Sequence, residues 1–183
     1  MKKRMLIPCL LLLLTGPFLE GQNEGAEKTK LPVQAGIVRN KSLLLKYEIG
    51  NVVVTYADGS TDIWTVKGNC AEPKVSPNGV VGWEVYQLNA NGKTFASYHG
   101  LYVNDHLNVC DHGRVVANLQ SAKAFIEGWD FTKDGEHLVI KSRGAHGAAT
   151  IEFFSLRSGP AEESVQAYEK NLPDWATPFA DPD

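Results

Sequence analysis

The sequence predicts an all-β protein, an antiparallel meander with one short helix near its C-terminus. Short runs rich in Val, Ile, Thr, Tyr and Trp, bounded by Gly, Asn, Asp and Pro, recur at spacings of roughly 8–14 residues. One pair of runs, 52–56 and 61–66, flanks Ala57-Asp58-Gly59-Ser60, whose Asp-Gly step is hairpin-turn chemistry. No strand–helix–strand alternation argues for a parallel sheet. At 183 residues and 43% hydrophobic, the chain is long enough for one real core.

The N-terminus reads as a secretion signal covering residues 1–21. Lys2-Lys3-Arg4 is followed by an apolar run over 5–14, which Thr15-Gly16-Pro17 breaks before it is long enough to span a bilayer. Leu6-Ile7-Pro8-Cys9 is not a lipoprotein box, because the apolar run follows Cys9 instead of preceding it. The short basic signal looks bacterial, so the mature chain is expected to be secreted or periplasmic, with no transmembrane segment after cleavage. The polar stretch 22–30 is expected to be a disordered leader. Residues 1–21 carry a net +2, from Lys2, Lys3 and Arg4 against Glu20, so a formal charge of −3 becomes −5. With no basic patch, nucleic acid is an unfavoured partner. Export also bears on the cysteines. Cys9 leaves with the signal, and Cys70 and Cys110, both in turn-like surroundings, are expected to form a disulfide. Two unrelated buried thiols are the alternative. Asn40-Lys41-Ser42 fits a glycosylation acceptor, relevant only in a eukaryotic secretory route.

The β domain is expected over 31–159. Residues 31–38 and 43–49 are candidate strands, closed by the Gly50-Asn51 turn. In the following hairpin, Ile63 and Thr65 are expected to face opposite to Trp64 and Val66. Val81, Trp83 and Val85 alternate in a strand that runs to Gln87. After Asn89-Ala90-Asn91-Gly92 come short strands at 94–98 and 101–103. Residues 104–113 read as a polar loop carrying Cys110. Further strands are expected at 114–119, 136–142 and 151–156, with Ala124-Phe125-Ile126 leading into a turn at 129–135. The remaining 160–183 are expected to hold the helix and a tail. Pro160 suits a first helical position, Glu162 and Glu163 favour the positive end of the dipole, and Ala161, Val165, Tyr168 and Leu172 share a face. Asn171 and Pro173 end it, and Trp175 and Phe179 lie in the tail.

Two stretches organise the chain. Pro73-Lys74-Val75-Ser76-Pro77-Asn78-Gly79 is a turn feeding a strand, and Trp129-Asp130-Phe131-Thr132-Lys133-Asp134-Gly135 repeats it 56 residues later. The first resembles the turn that precedes the strands of a blade in TolB-type, WD40-like β-propeller repeats. The second keeps Phe131, Thr132, Asp134 and Gly135 at matching places, with Lys133 for the proline. The resemblance covers about two and a half blades between Val52 and Gly159, fewer than the four a closed ring needs. It implies an incomplete propeller-like or two-sheet arrangement. The ending, with His146-Gly147, Ser158-Gly159 and Pro173-Asp174-Trp175-Ala176, resembles uncharacterised secreted bacterial proteins.

Chemistry-bearing residues concentrate in Tyr98-His99-Gly100-Leu101-Tyr102-Val103-Asn104-Asp105-His106 and Asp111-His112. Tyr98, His99, Tyr102, Asp105, His106 and His112 are the candidate binding residues. Imidazoles and carboxylates are divalent-metal ligands, but the spacing of His99, His106 and His112 fits no short metal signature, so no metal or other cofactor is assigned. Gly-x-Ser-x-Gly, His-Glu-x-x-His, a Walker loop and a calcium loop are all lacking. Trp64, Trp83 and Trp129 read as core; their sharper reading is an aromatic platform for a peptide or glycan. The expected function is therefore an exported, non-enzymatic β domain that binds a protein, peptide or glycan of the cell envelope through loops at the end of its sheets. The alternative is a metal-dependent hydrolase using His99, His106 and His112.

Overall fold

The computed structural model describes residues 30–39, 48–157 and 159–182. The expected signal segment, nearly all of the expected leader, Asn40-Lys41-Ser42 and most of the strand expected at 43–49 lie outside them. The described chain is all-β. Its helical content is one 3-10 turn at Thr177–Phe179. Among the described residues no helix is long and apolar enough to cross a membrane.

Two four-stranded antiparallel meanders follow one another. The first runs β4 (Cys70–Val75), β5 (Val81–Val85), β8 (His106–Asp111), β9 (Arg114–Gln120). The second runs β10 (Phe125–Phe131), β11 (His137–Arg143), β12 (Thr150–Ser155), β13 (Glu163–Gln166). Ahead of the first, β1 (Pro32–Arg39), β2 (Gly50–Tyr56) and β3 (Thr61–Ile63) form a hairpin layer, joined to β4 through Gly50 opposite Cys70. A small separate hairpin, β6 (Ser97–Tyr98) and β7 (Leu101–Tyr102), rises between β5 and β8.

The repeated turn sits at the same place in both meanders, between first and second strands. In each, the hydroxyl residue bonds the turn backbone. Ser76 Oγ accepts from Val80 N at 3.0 Å, and Thr132 Oγ1 accepts from His137 N at 3.1 Å. Gly79 and Gly135 both take positive φ, +79° and +69°. The closing backbone bond spans Ser76 to Val80 in one copy and Thr132 to His137 in the other. That extra residue, Glu136, is why the apolar alternation after the second glycine is out of step with the first. Position-matched residues of the two copies also touch. Asn78 Nδ2 donates to Asp134 O at 2.9 Å, and Lys74 Nζ pairs with Asp130 at 3.2 Å and donates to Trp129 O.

The main core lies between the meanders. Leu107, Val109 and Leu119 of the first meet Ile126, Trp129, Leu138, Ile140 and Phe154 of the second. Gly82 permits this approach, since a Cβ there would meet Trp129 Cη2 at 2.7 Å. Val81, Trp83 and Cys110 point the other way, clustering with Val52, Val54, Tyr56 and Cys70. The outer face of the second sheet, with Val139 and Ile151, is covered by Ala167, Trp175, Ala176 and Phe179.

Three expectations need correction. The helix at 160–172 is not formed: Glu163–Gln166 is strand β13, pairing Val165 with Ile151. An isolated helix of that length is marginal, whereas β12 offers a full ladder of backbone partners. Tyr168, placed on the shared face of that helix, is 65% exposed. The polar loop at 104–113 is mostly β8, with Leu107 and Val109 fully buried. Cys70 and Cys110 are free, buried thiols, not a disulfide. Both lie on strands flanking β5, opposite Val85 and Val81. Two strand spacings, about 9.6 Å, and four residues, about 13 Å, separate them; a disulfide needs Cα atoms within about 7 Å. Burial pushes the Cys110 thiol up to about 11 and raises Cys70 as well.

In the 52–66 hairpin the regular strand stops at Ile63. Beyond it Thr65 Oγ1 turns back to accept Val52 N at 2.8 Å, and Val66 is fully in solvent, so the expected alternation ends with the strand.

Candidate binding surface

The β6–β7 hairpin turns through His99-Gly100, both at positive φ (+49° and +82°), the two-residue geometry that matches strand twist. Two rows of rings fix it to the body. Tyr102 lies 5.5 Å from Phe95, which lies 6.0 Å from Tyr86. Tyr98 stacks on Phe125 at 6.5 Å and meets His99 at 4.4 Å, and His99 reaches His146 at 5.7 Å. Phe125 and His146 belong to the second meander, so both meanders contribute to this end. Above the rings Tyr98, Leu101 and Tyr102 remain 53%, 49% and 37% exposed.

Below the hairpin lies a polar group. Asp105 Oδ1 accepts from Gln87 Nε2 at 2.6 Å and sits 2.7 Å from His106 Nδ1. Deeper still, Glu84 is 4% exposed and accepts from Asn104 Nδ2 at 2.8 Å. Asn104 also bonds both backbone groups of Ile126, so it ties the first meander to β10. Burial pushes Glu84 up to about 7, with the Asn104 bond opposing. Glu152 is its counterpart in the second sheet. It is buried, its carboxyl is raised by that burial, and it accepts from Ala122 N at 2.7 Å. Both acids thus bond the stretch that links or bridges the meanders.

Tyr98, His99, Tyr102, Asp105 and His106 are therefore gathered at one end. His112 is not. It forms the β8–β9 turn with Gly113, beside Asp111 at 2.6 Å, and lines a cavity of about 480 Å³ with Asn78, Gly135 and Arg157. Six residue steps, about 20 Å, separate His106 from His112, so the three histidines do not share an ion. Among the described residues no group of three His, Cys, Asp or Glu is placed to hold a metal. Sequence reasoning missed Glu84, Glu152 and Asn104. The one signal for the two acids is a carboxylate inside an apolar run, as in Val81-Gly82-Trp83-Glu84-Val85 and Ile151-Glu152-Phe153-Phe154.

No protein-family model matches the chain, and no curated protein matches it. A solved structure, a crystal structure of the mitotic checkpoint complex, is similar at 18% identity and a TM-score of 0.33. The match covers 86% of this chain and 60% of that one, and a likeness this slight fixes neither fold nor function.

Proposed function

We propose that the chain is an exported, non-enzymatic binding module that engages a protein, peptide or glycan of the cell envelope through its β6–β7 end. The observation that carries this reading is the pairing of exposure with rigidity. Tyr98, Leu101 and Tyr102 face solvent on a hairpin whose rings are braced by Phe95 and Phe125. Large apolar and aromatic tips that are already ordered lose little conformational entropy on binding, which is what an interaction surface requires. Asp105, His106 and Gln87 supply a polar margin beside the aromatic tips. Export rests on the residue 1–21 signal pattern.

The test is a photo-crosslinking amino acid at position 98 or 102, with position 66 on the far hairpin as control, in cells producing the full chain. Crosslinks specific to 98 and 102 support the reading, and mass analysis separates polypeptide from glycan adducts. Equal yields at all three positions overturn it.

A further inference from the structure

A second cavity, of about 380 Å³, is lined by Tyr56, Asp62, Trp64, Trp83, Cys110, Gly113 and Val115. Two of its walls are indole. Trp64 and Trp83 stand 6.4 Å apart at 73°, so their rings form a corner. Trp64 Nε1 donates to the Tyr56 hydroxyl at 3.0 Å, which locks two of the three rings to each other. Burial raises the Tyr56 phenol; the Trp64 bond opposes this, and the facing Asp62 carboxylate adds to it. Asp62 itself is exposed, at the cavity mouth, and among the described residues no Lys or Arg pairs with it. No Lys or Arg lines the cavity.

We propose that this corner binds a quaternary or methylated ammonium group. Ring faces carry negative potential and attract a cation, Trp most strongly, and the Asp62 carboxylate adds the complementary charge. Such a cation has few or no N–H groups to satisfy, so it suits aromatic walls with a single carboxylate at the rim. Trp83 is the buried wall of the corner, 4% exposed. Lys30 Nζ already stands 5.3 Å from the Tyr56 ring centroid, so the ligand cation is assigned to the Trp64 and Trp83 walls. An anion would meet Asp62 and the ring faces with the wrong sign, and a neutral apolar ligand would gain nothing from Asp62.

The experiment is a tryptophan-fluorescence titration of the full mature chain with choline chloride against sodium chloride at matched ionic strength. The neutral isostere 3,3-dimethyl-1-butanol serves as the second probe. The expected result is saturable binding of choline and at least about tenfold weaker binding of the isostere. Asp62→Asn, at an exposed position, should weaken choline binding about fivefold or more, and Trp64→Leu should abolish it. Thermal melts check that both variants are folded; if Trp64→Leu is not, Asp62→Asn decides. No saturation up to about 0.1 M choline, equal binding of the isostere, or undiminished binding by Asp62→Asn overturns the proposal. These outcomes leave the β6–β7 reading untouched, since the two surfaces share no residue.

Discussion

Glu84 is an acid held where the neutral form is favoured. Its folded value of about 7 lies above the ordinary 4.5, so the folded state binds the proton more tightly than the unfolded chain. The stabilisation it gives is full below about pH 4.5 and is lost as pH rises to about 7; above that, ionising it costs about 3 kcal/mol. Glu84→Gln should flatten this dependence and leave the protein about 1–3 kcal/mol more stable than wild type at pH 8. Denaturant titrations at pH 5, 6.5 and 8 check it, and an unchanged pH slope in the variant would refute it. The glycines allow a paired comparison. Gly135 and Gly147 both have positive φ, but a Cβ at 135 would meet Asn78 Nδ2 at 2.7 Å while one at 147 meets nothing. Gly147→Ala should cost about 1 kcal/mol, for conformation alone, and Gly135→Ala distinctly more. Equal losses in thermal or denaturant melts would show that the turn–turn contact is soft. The turn chemistry around both 79 and 135 was legible in the sequence because φ preference is a local property. The burial of Glu84 was not. Alternating Val81, Trp83 and Val85 assigns it to water, and only the second sheet, 40 residues away, reverses that.

Elements were legible where periodicity and punctuation agreed. β2 with β3, β6 with β7, β9, β11 and β12 fall close to their expected positions, because each is short, alternating and bounded by turn residues. β10 was missed, because Trp129-Asp130-Phe131 was read as part of the turn that follows it. β8 was missed although His106-Leu107-Asn108-Val109-Cys110 alternates, since its polar members outweighed Leu107 and Val109 in a reading by composition. β13 was missed for a different reason: at 163–166 local propensity and the open edge of β12 compete, and the edge wins. This segment and the tail together close the second sheet. Asp181 binds Lys141 at 2.7 Å and Arg143 at 3.1 Å, while Ala176 and Phe179 pack on Val139's face. Deleting 160–183 should therefore expose both the β12 edge and the Val139–Ile151 face, giving dimers or larger species by light scattering. A truncated chain that stays monomeric and equally stable would show that the tail is a tether and not a cover.

At the scale of the molecule the two meanders are matched units, each with its turn after the first strand, as the blade-like turns implied. How they meet was not legible, because two similar turns do not announce that they touch. Nor was the separation of His112 from His99 and His106, which depends on β8 being a strand. The chain between β9 and β10 is short, and within each meander every pairing joins neighbours in sequence, apart from the β6–β7 insertion. The contacts between meanders are different: Lys74 to Asp130 and Asn78 to Asp134 each close 56 residues. Loops of that length are entropically late to close, so each meander is expected to assemble before the two dock. The docked contacts should then be absent from the folding transition state. Asn78→Ala should leave the folding rate nearly unchanged and speed unfolding about fivefold, a φ-value near zero, whereas Ile151→Ala, on the outer face of the second sheet, should slow folding. A contact between the two turns would then set how long the native state lasts, and have almost no say in how quickly it is reached.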